Sequence, residues 1–430
     1  MSADPFTMVM IAVSIVVIVL GFPIAYAMLL CSMIYILVNG LPISLMVHEL
    51  ALSLNSFTMI SVPLFMFAGK LMTASGISDR IFDFTNNLVG RVPGGLGHVN
   101  VASSLVFAGM SGSTLADVAG LGEIEYKAMT RKGYDADFTI GVTLSSAAIG
   151  PILPPSLPMV LYGVTAGVSI SGLFLGGILP GFLIAASLMV YVFFVGLRRG
   201  YRVDVWAGWR ALGISFLRAA PPLFTPFIIV GGMAFGWFSP TEAATVSVLY
   251  GLFIATVVYR SLSFPAFLEV LRDVTLSASR LLFVIATAFL FGWVATFGEV
   301  PQMLAALIEA HIESVALFLL VCIIVNLILG AILENAIPLL VLAPMLAPIA
   351  EQQYGLDPVH FGVVMVFNIM IGQFTPPIGL SLFVMRDITG FSVTRIFRAV
   401  LPFLAPLIIS LFLMAYFPWI VTAIPRAAGF

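Results

Sequence analysis

Charge is what this 430-residue sequence has least of: Asp, Glu, Lys and Arg make up only 9% of it, against about a quarter in soluble domains. A chain so poor in charge cannot wet its surface all round, so its main solvent is lipid. The 18 basic and 20 acidic residues leave a formal net charge of -2, which argues against nucleic acid or any other polyanion as a partner. Cysteine is nearly absent. Cys31 and Cys322 lie far apart inside apolar runs, which argues against a disulfide framework or a Cys-ligated metal and predicts packing roles. The four histidines, at 48, 98, 311 and 360, are dispersed, and His48-Glu49 lacks the second His of an H-E-x-x-H zinc motif. With no nucleophile–base pair either, an intramembrane enzyme is not expected. No G-x-x-x-x-G-K-[ST] loop occurs, so ATP is not the energy source. Asp4 stands where a cleavable signal would be basic, so none is expected.

Hydrophobicity is what is present: 61% of residues and a mean hydropathy of +1.15. A bilayer core of about 30 Å takes roughly 20 helical residues to cross. Apolar runs of that order occur at 7–38, 59–77, 138–165, 172–197, 219–237, 242–259, 280–298, 359–385 and 400–424. Two others, 95–126 and 314–350, are too long for one span and are interrupted by small and polar residues. Each predicts a helical hairpin. Run 7–38 is one long tilted helix or two elements broken at Gly21-Phe22-Pro23; symmetry with 219–259 across Pro240 favours two.

Basic residues give the orientation. They cluster at Arg80 and Arg91, at Lys127 to Lys132, at Arg198 to Arg218, at Arg260 to Arg280 and at Arg386 to Arg398, while loops 39–58, 299–313 and 351–358 hold none. The positive-inside rule places the clusters in the cytoplasm, with only Lys70 and Arg426 outside that set. Both ends of hairpin 95–126 then face the cytoplasm and both ends of hairpin 314–350 face outside.

An offset of 222 residues relates the two halves. Ile149-Gly150-x-x-x-Pro154-Pro155 falls on Ile371-Gly372-x-x-x-Pro376-Pro377, Gly76 on Gly298, Ser113 on Asn335 and Ser146 on Asn368. Similar halves of opposite topology predict an all-α, inverted-repeat transporter with two re-entrant hairpins. Its first repeat is 1–197, its basic amphipathic linker 198–218 and its second repeat 219–430. Segments 80–90 and 300–313 occupy equivalent places and are expected along the membrane faces. Trp206 and Trp209 suit an interfacial anchor.

Paired prolines behind a glycine break a helix. Broken backbone at membrane depth is tolerated only when buried in protein or lining a watery cavity. There, freed carbonyls ligate Na+ and half-helix N-termini offer N–H groups to a carboxylate; a plain Pro kink is the alternative. The hairpin tip Ser111-Gly112-Ser113-Thr114 offers small residues and hydroxyl oxygens, for ion binding or for close helix packing. The break opposite supplies Ser145, Ser146, Gly150 and Ser156. By the offset, a second site takes Leu333, Glu334, Asn335 and Ala336 with Asn368, Gly372 and Thr375. Lys70 interrupts a span at a cost of about 2.5–3.5 kcal/mol; it contacts an anionic solute, pairs with Asp117 or snorkels. Ser113 and Asn335 are the remaining candidates for solute contact. Ser239 to Glu242 and Asp357-Pro358 are expected helix starts, which leaves His360 no special role.

The strings Pro63 to Gly69 (PLFMFAG), Ser111 to Thr114 (SGST), Ile152 to Ser156 (ILPPS), Ser239 to Ala244 (SPTEAA), Asp357 to Gly362 (DPVHFG) and Thr375 to Gly379 (TPPIG) together resemble the large membrane subunit of tripartite ATP-independent periplasmic (TRAP) transporters. The match runs from about residue 20 to 415. The resemblance implies the ion-transporter superfamily fold, an elevator mechanism and Na+-driven import of organic acids such as C4-dicarboxylates or sialic acid across the bacterial inner membrane. It implies two partners, a periplasmic solute-binding protein and a small four-helix membrane subunit. The latter is expected as a separate chain, since no set of spans precedes residue 7. Carried over by motif, one Na+ site takes Ser111–Thr114 with the Ser146–Ser156 break, Pro154 included. The other takes Leu333–Ala336 with Asn368 to Pro377, Pro376 included. Glu334 departs from the Asp more usual in the family. A stand-alone divalent-anion:Na+ symporter of the same fold is the competing expectation.

Overall fold

The computed structural model describes residues 5–201, 205–376 and 379–430, and every regular element among them is helical. Pro377 of the second paired-proline motif therefore lies outside the described residues. Gly21, at φ +91°, and extended Pro23 separate α1 (Pro5–Val19) from α2 (Ile24–Val38), so run 7–38 is two elements. The loop at 39–58 contains α3 (Ser44–Leu54) and leads through a 3-10 turn into α4 (Ser61–Ala74). Left-handed Gly76 turns the chain into the amphipathic α5 (Ile77–Val89), whose buried Ile77, Ile81 and Thr85 recur every four residues, the spacing of one helix face.

Helix α6 (Leu96–Ser111) stops at Gly112, where φ is +58°, and extended Ser113 caps α7 (Thr114–Gly120). The chain reverses there: a Cβ on Gly120 would stand 3.4 Å from the Phe107 ring. Helix α8 (Gly122–Arg131) leads to α9 (Ala136–Ser146), which tightens over residues 147–149 and gives way to irregular backbone until Ser156 caps α10 (Leu157–Ala166). Helices α11 (Ile170–Gly176) and α12 (Ile178–Arg199) follow.

The second half runs α13 (Trp209–Ala234), α14 (Pro240–Phe253), α15 (Phe264–Phe297), α16 (Val300–His311), α17 (Val315–Ile332), α18 (Ala336–Gln352), α19 (Pro358–Gly372), α20 (Leu380–Thr389), α21 (Val393–Tyr416) and α22 (Trp419–Ala427). The expected caps are present: Ser239 and Glu242 form a capping box, and Asp357 Oδ1 accepts from Val359 N at 3.0 Å. Helices α7 and α18 start at 114 and 336, and α9 and α19 at 136 and 358, which repeats the sequence offset. Seven segments among the described residues are long and apolar enough to cross a bilayer.

Two spans start earlier than expected. The span placed at 280–298 is the end of a 34-residue helix, because Ser263 and Pro265 start α15 sixteen residues earlier. Arg272 and Arg280 therefore sit on this helix. Likewise α13 begins at Trp209, so the second part of the 198–218 stretch is helical.

Helix α14 lies along α4, and α15 crosses α2, α3 and α4. Separately, α17 packs on α19, α21 on α9, α12 on α21 and α6, and α10 on α18. Helices α5 and α16 connect the two groups along the chain, and the groups also pack directly on one another, α4 on α6 and α15 on α18. Glycine permits the closest crossing: a Cβ on Gly372 would meet the Gly330 carbonyl carbon at 2.4 Å. Cys31 and Cys322 are free and buried, as packing residues are.

Candidate functional site

The two helix interruptions of the first half touch one another. A Cβ on Gly112 would lie 2.0 Å from the Pro155 carbonyl oxygen, and one on Gly150 would lie 3.2 Å from the Ser113 carbonyl carbon. At residue 112 only glycine admits that approach and adopts the left-handed turn cheaply. Pro154, joined to Pro155 by a cis peptide bond, is buried in the same irregular stretch. Three hydroxyls here, Ser111 Oγ, Thr114 Oγ1 and Ser145 Oγ, are buried with no hydrogen-bond partner. An unmade hydrogen bond in a buried place costs roughly 1–3 kcal/mol, so these oxygens are free to serve a ligand.

Other predicted residues of this site are already committed. Ser146 Oγ donates to Asn100 Oδ1 at 2.8 Å and receives from Ser104 Oγ at 3.0 Å. Ser156 Oγ bonds the Pro151 carbonyl and caps Met159 N at 3.2 Å. Ser113 Oγ accepts from Ala116 N at 3.4 Å.

The second half repeats this with amides. Between α17 and α18 the chain is extended at Leu333, and α18 starts at Ala336 directly after Asn335. Asn335 Oδ1, Asn368 Oδ1 and Asn326 Oδ1 are buried without partners. Asn368 Nδ2 donates to the Ile323 carbonyl at 3.1 Å, and Asn335 Nδ2 reaches the Met370 sulfur at 3.6 Å. Asn326 stands at the offset of Ser104, a match that was available in the sequence and overlooked. Gly372 closes the α17–α19 crossing, while Thr375 and Pro376 lie in the irregular stretch beyond it.

A cavity of about 520 Å³ joins the two tips, a size suited to a small organic ligand. Ser113 and Thr114 line one part of it, Glu334, Asn335 and Ala336 another, and Met370 and Gln373 the second break. From α15 comes Arg280, whose guanidinium has no hydrogen bond or ion pair among the described residues. Sequence reasoning missed it by counting it among the cytoplasmic basic residues. Lys70 and Asp117 do not line this cavity: Lys70 is exposed on α4 and Asp117 is buried in α7. No ion pair joins them among the described residues. No group of three His, Cys, Asp or Glu side chains that could hold a metal ion occurs among them either. The donors at the two tips are oxygens, neutral hydroxyls at the first and amides with the single Glu334 carboxylate at the second, a set that fits a hard monovalent cation and lacks the soft ligands of a transition metal.

The family model described as "Tripartite ATP-independent periplasmic transporter, DctM component" matches residues 11–420. The chain belongs to this family. The DctM component is a transporter subunit and not an enzyme, and the chain is a multi-pass inner-membrane protein. This DctM-family permease is similar to the sialic acid TRAP transporter large permease protein SiaM of Vibrio cholerae, with 40% identity over 407 residues covering 94% of this chain and 95% of that protein. It is also similar to the C4-dicarboxylate TRAP transporter large permease protein DctM of Pseudomonas aeruginosa, with 36% identity covering 89% and 90%. In fold the permease is similar to the crystal structure of the Alcanivorax borkumensis YdaH transporter, with a TM-score of 0.60 at 15% identity, covering 86% of this chain and 87% of that one.

Proposed function

We propose that this permease imports an organic acid anion by coupling it to Na+, with the two tips and their opposing breaks as the ion sites. The observation that carries the reading is the set of partnerless buried oxygens at both tips, Ser111, Thr114 and Ser145 on one side and Asn335 and Asn368 on the other. They flank a cavity that contains the unpaired Arg280. A guanidinium matches a carboxylate with two parallel hydrogen bonds, and the two relatives are named for acids, sialic acid and C4-dicarboxylate. Bound Na+ would be held by the hydroxyl and amide oxygens and the freed carbonyls. Its positive charge favours an anion beside it.

The repeated element starts support two repeats, 1–197 and 219–430, joined by 198–218; their inversion, with hairpins entering from opposite faces, rests on the distribution of basic residues. An elevator motion would slide the second group against the first along the α4–α6 and α15–α18 contacts, with α5 and α16 as the connecting helices. One net positive charge carried inward down 100 mV yields about 2.3 kcal/mol, roughly 50-fold in solute concentration.

A periplasmic solute-binding protein and a small four-helix membrane subunit complete the system in this reading. Proteoliposomes carrying the permease and small subunit, under an inward Na+ gradient, test it. Acid uptake is expected only when the loaded binding protein is present. Uptake by this chain alone would instead make it a stand-alone divalent-anion symporter.

A further inference from the structure

A second cavity, of about 890 Å³, lies between α5, the first turns of α13 and the segment after α14. It shares no lining residue with the first. Four charged side chains line it: Asp79, Arg80, Asp83 and Arg218. Arg80 is held flat, with its guanidinium carbon 3.8 Å above the Tyr259 ring and Nη1 donating to the Gly76 carbonyl at 2.8 Å. The Tyr259 hydroxyl in turn donates to the Arg218 carbonyl at 2.6 Å. The Arg218 guanidinium and both carboxylates have no hydrogen bond or ion pair among the described residues. Desolvation, with the charge of Asp79 adding to it, pushes the Asp83 carboxyl above its usual range, while Arg218 opposes the shift. The cavity thus holds an anion-binding edge and a cation-binding edge on exposed and half-buried side chains, with no ion pair closed between them among the described residues.

A ligand for both edges carries both signs. Its attachment is visible too: Ile214 lines the cavity, and Leu217 and Phe224 continue from it along α13 as exposed apolar side chains. Spacings of three and seven residues keep them on one helical face. The basic residues here belong to the clusters that the positive-inside rule assigns to the cytoplasmic leaflet. We propose that this cavity binds the headgroup of a phospholipid with a primary ammonium, a phosphatidylethanolamine, with its phosphate at Arg218 and Arg80, its ammonium at Asp79 and Asp83, and its chains along α13.

A phosphatidylglycerol offers the two carboxylates hydroxyl donors but no positive charge. A phosphatidylcholine has no N–H to donate to them. The headgroup bridges α5 to α13 beside left-handed Gly76, the joint between α4 and α5, and so ties a connecting helix to the group of α4, α13 and α14.

The test uses the purified full chain in detergent, titrated with dioctanoyl phosphatidylethanolamine, phosphatidylglycerol or phosphatidylcholine, or with soluble glycerophosphoethanolamine. Thermal shift and native mass spectrometry give the readout. Dioctanoyl phosphatidylethanolamine is expected to raise the Tm and bind about tenfold tighter than the other lipids, the scale of one charge-assisted hydrogen bond. Arg218→Gln is expected to weaken it about tenfold. Asp83→Asn is expected to erase the preference over phosphatidylcholine. Equal shifts from all three lipids, or unchanged binding in both variants, would overturn the proposal. So would a full response to glycerophosphoethanolamine, which would make the ligand a soluble zwitterion. None of these readouts involves transport, so failure of the coupling proposal leaves this test intact.

Discussion

Gly112→Ala is the most incisive substitution at the first tip. The backbone φ of +58° costs an L-residue about 1–2 kcal/mol. The new methyl would lie 2.0 Å from the Pro155 carbonyl oxygen, and an overpacked contact against backbone costs about 1–3 kcal/mol. Together the two terms come to about 2–5 kcal/mol, and the second is relieved only by drawing the tip away from the break. Ser111, Thr114 and Ser145 then no longer converge. If even 2 kcal/mol falls on the ion-bound arrangement, Na+ affinity drops about 30-fold. Gly133→Ala is the control, since Gly133 also has positive φ, +81°, but nothing within 4 Å of its added methyl. The assay is the Na+ concentration that gives half the Na+-dependent thermal shift of the purified protein. Gly133→Ala should lower the Tm and keep the wild-type midpoint, whereas Gly112→Ala should move it about 30-fold or more. An unchanged midpoint in Gly112→Ala would refute the reasoning.

Arg280→Gln removes the unpaired cation of the cavity; uptake of the acid should fall roughly 10-fold to 100-fold while the Na+-dependent thermal shift remains. Lys70→Met, on an exposed face of α4 away from the cavity, should leave uptake within about twofold of wild type, since surface changes move free energies by only a few tenths of a kcal/mol. Gly372→Ala places a methyl 2.4–2.6 Å from the Gly330 backbone and should cost up to about 3 kcal/mol, read as a lowered Tm. Gly213→Ala in α13, with nothing within 4 Å, should raise the Tm through a helix-propensity gain of up to about 1 kcal/mol.

The helix breaks were legible because their cause is local. Gly150 with Pro154 and Pro155, Gly372 with Pro376, and Gly21 with Pro23 each carry the interruption in their own residues, and Ser239 and Asp357 carry their caps. The full length of α15 was not. Its first half contains Glu269, Arg272 and Asp273, which lowers hydropathy below a spanning signal although nothing there stops a helix. Arg280 was misread for the same reason: its meaning comes from the α15 face that meets the two tips. Ser146 was singled out as an ion ligand by its place in the break opposite the first tip, but its hydroxyl is occupied by Asn100 and Ser104, partners 46 and 42 residues away that no local pattern announces. Lys70 was left with three possible roles for a similar reason: helix rotation, which puts it on an exposed face of α4 and Arg280 on the cavity, is fixed by packing and not by hydropathy.

Na+-dependence of uptake tests the central claim most directly. With the permease, small subunit and loaded binding protein in proteoliposomes, and the membrane potential clamped, the initial uptake rate is measured while external Na+ is replaced by choline. Two ion sites predict a sigmoidal dependence on Na+, no uptake in choline, and a weaker Na+ requirement in neither Ser145→Ala nor Asn335→Ala. Uptake that persists unchanged in choline would contradict the account.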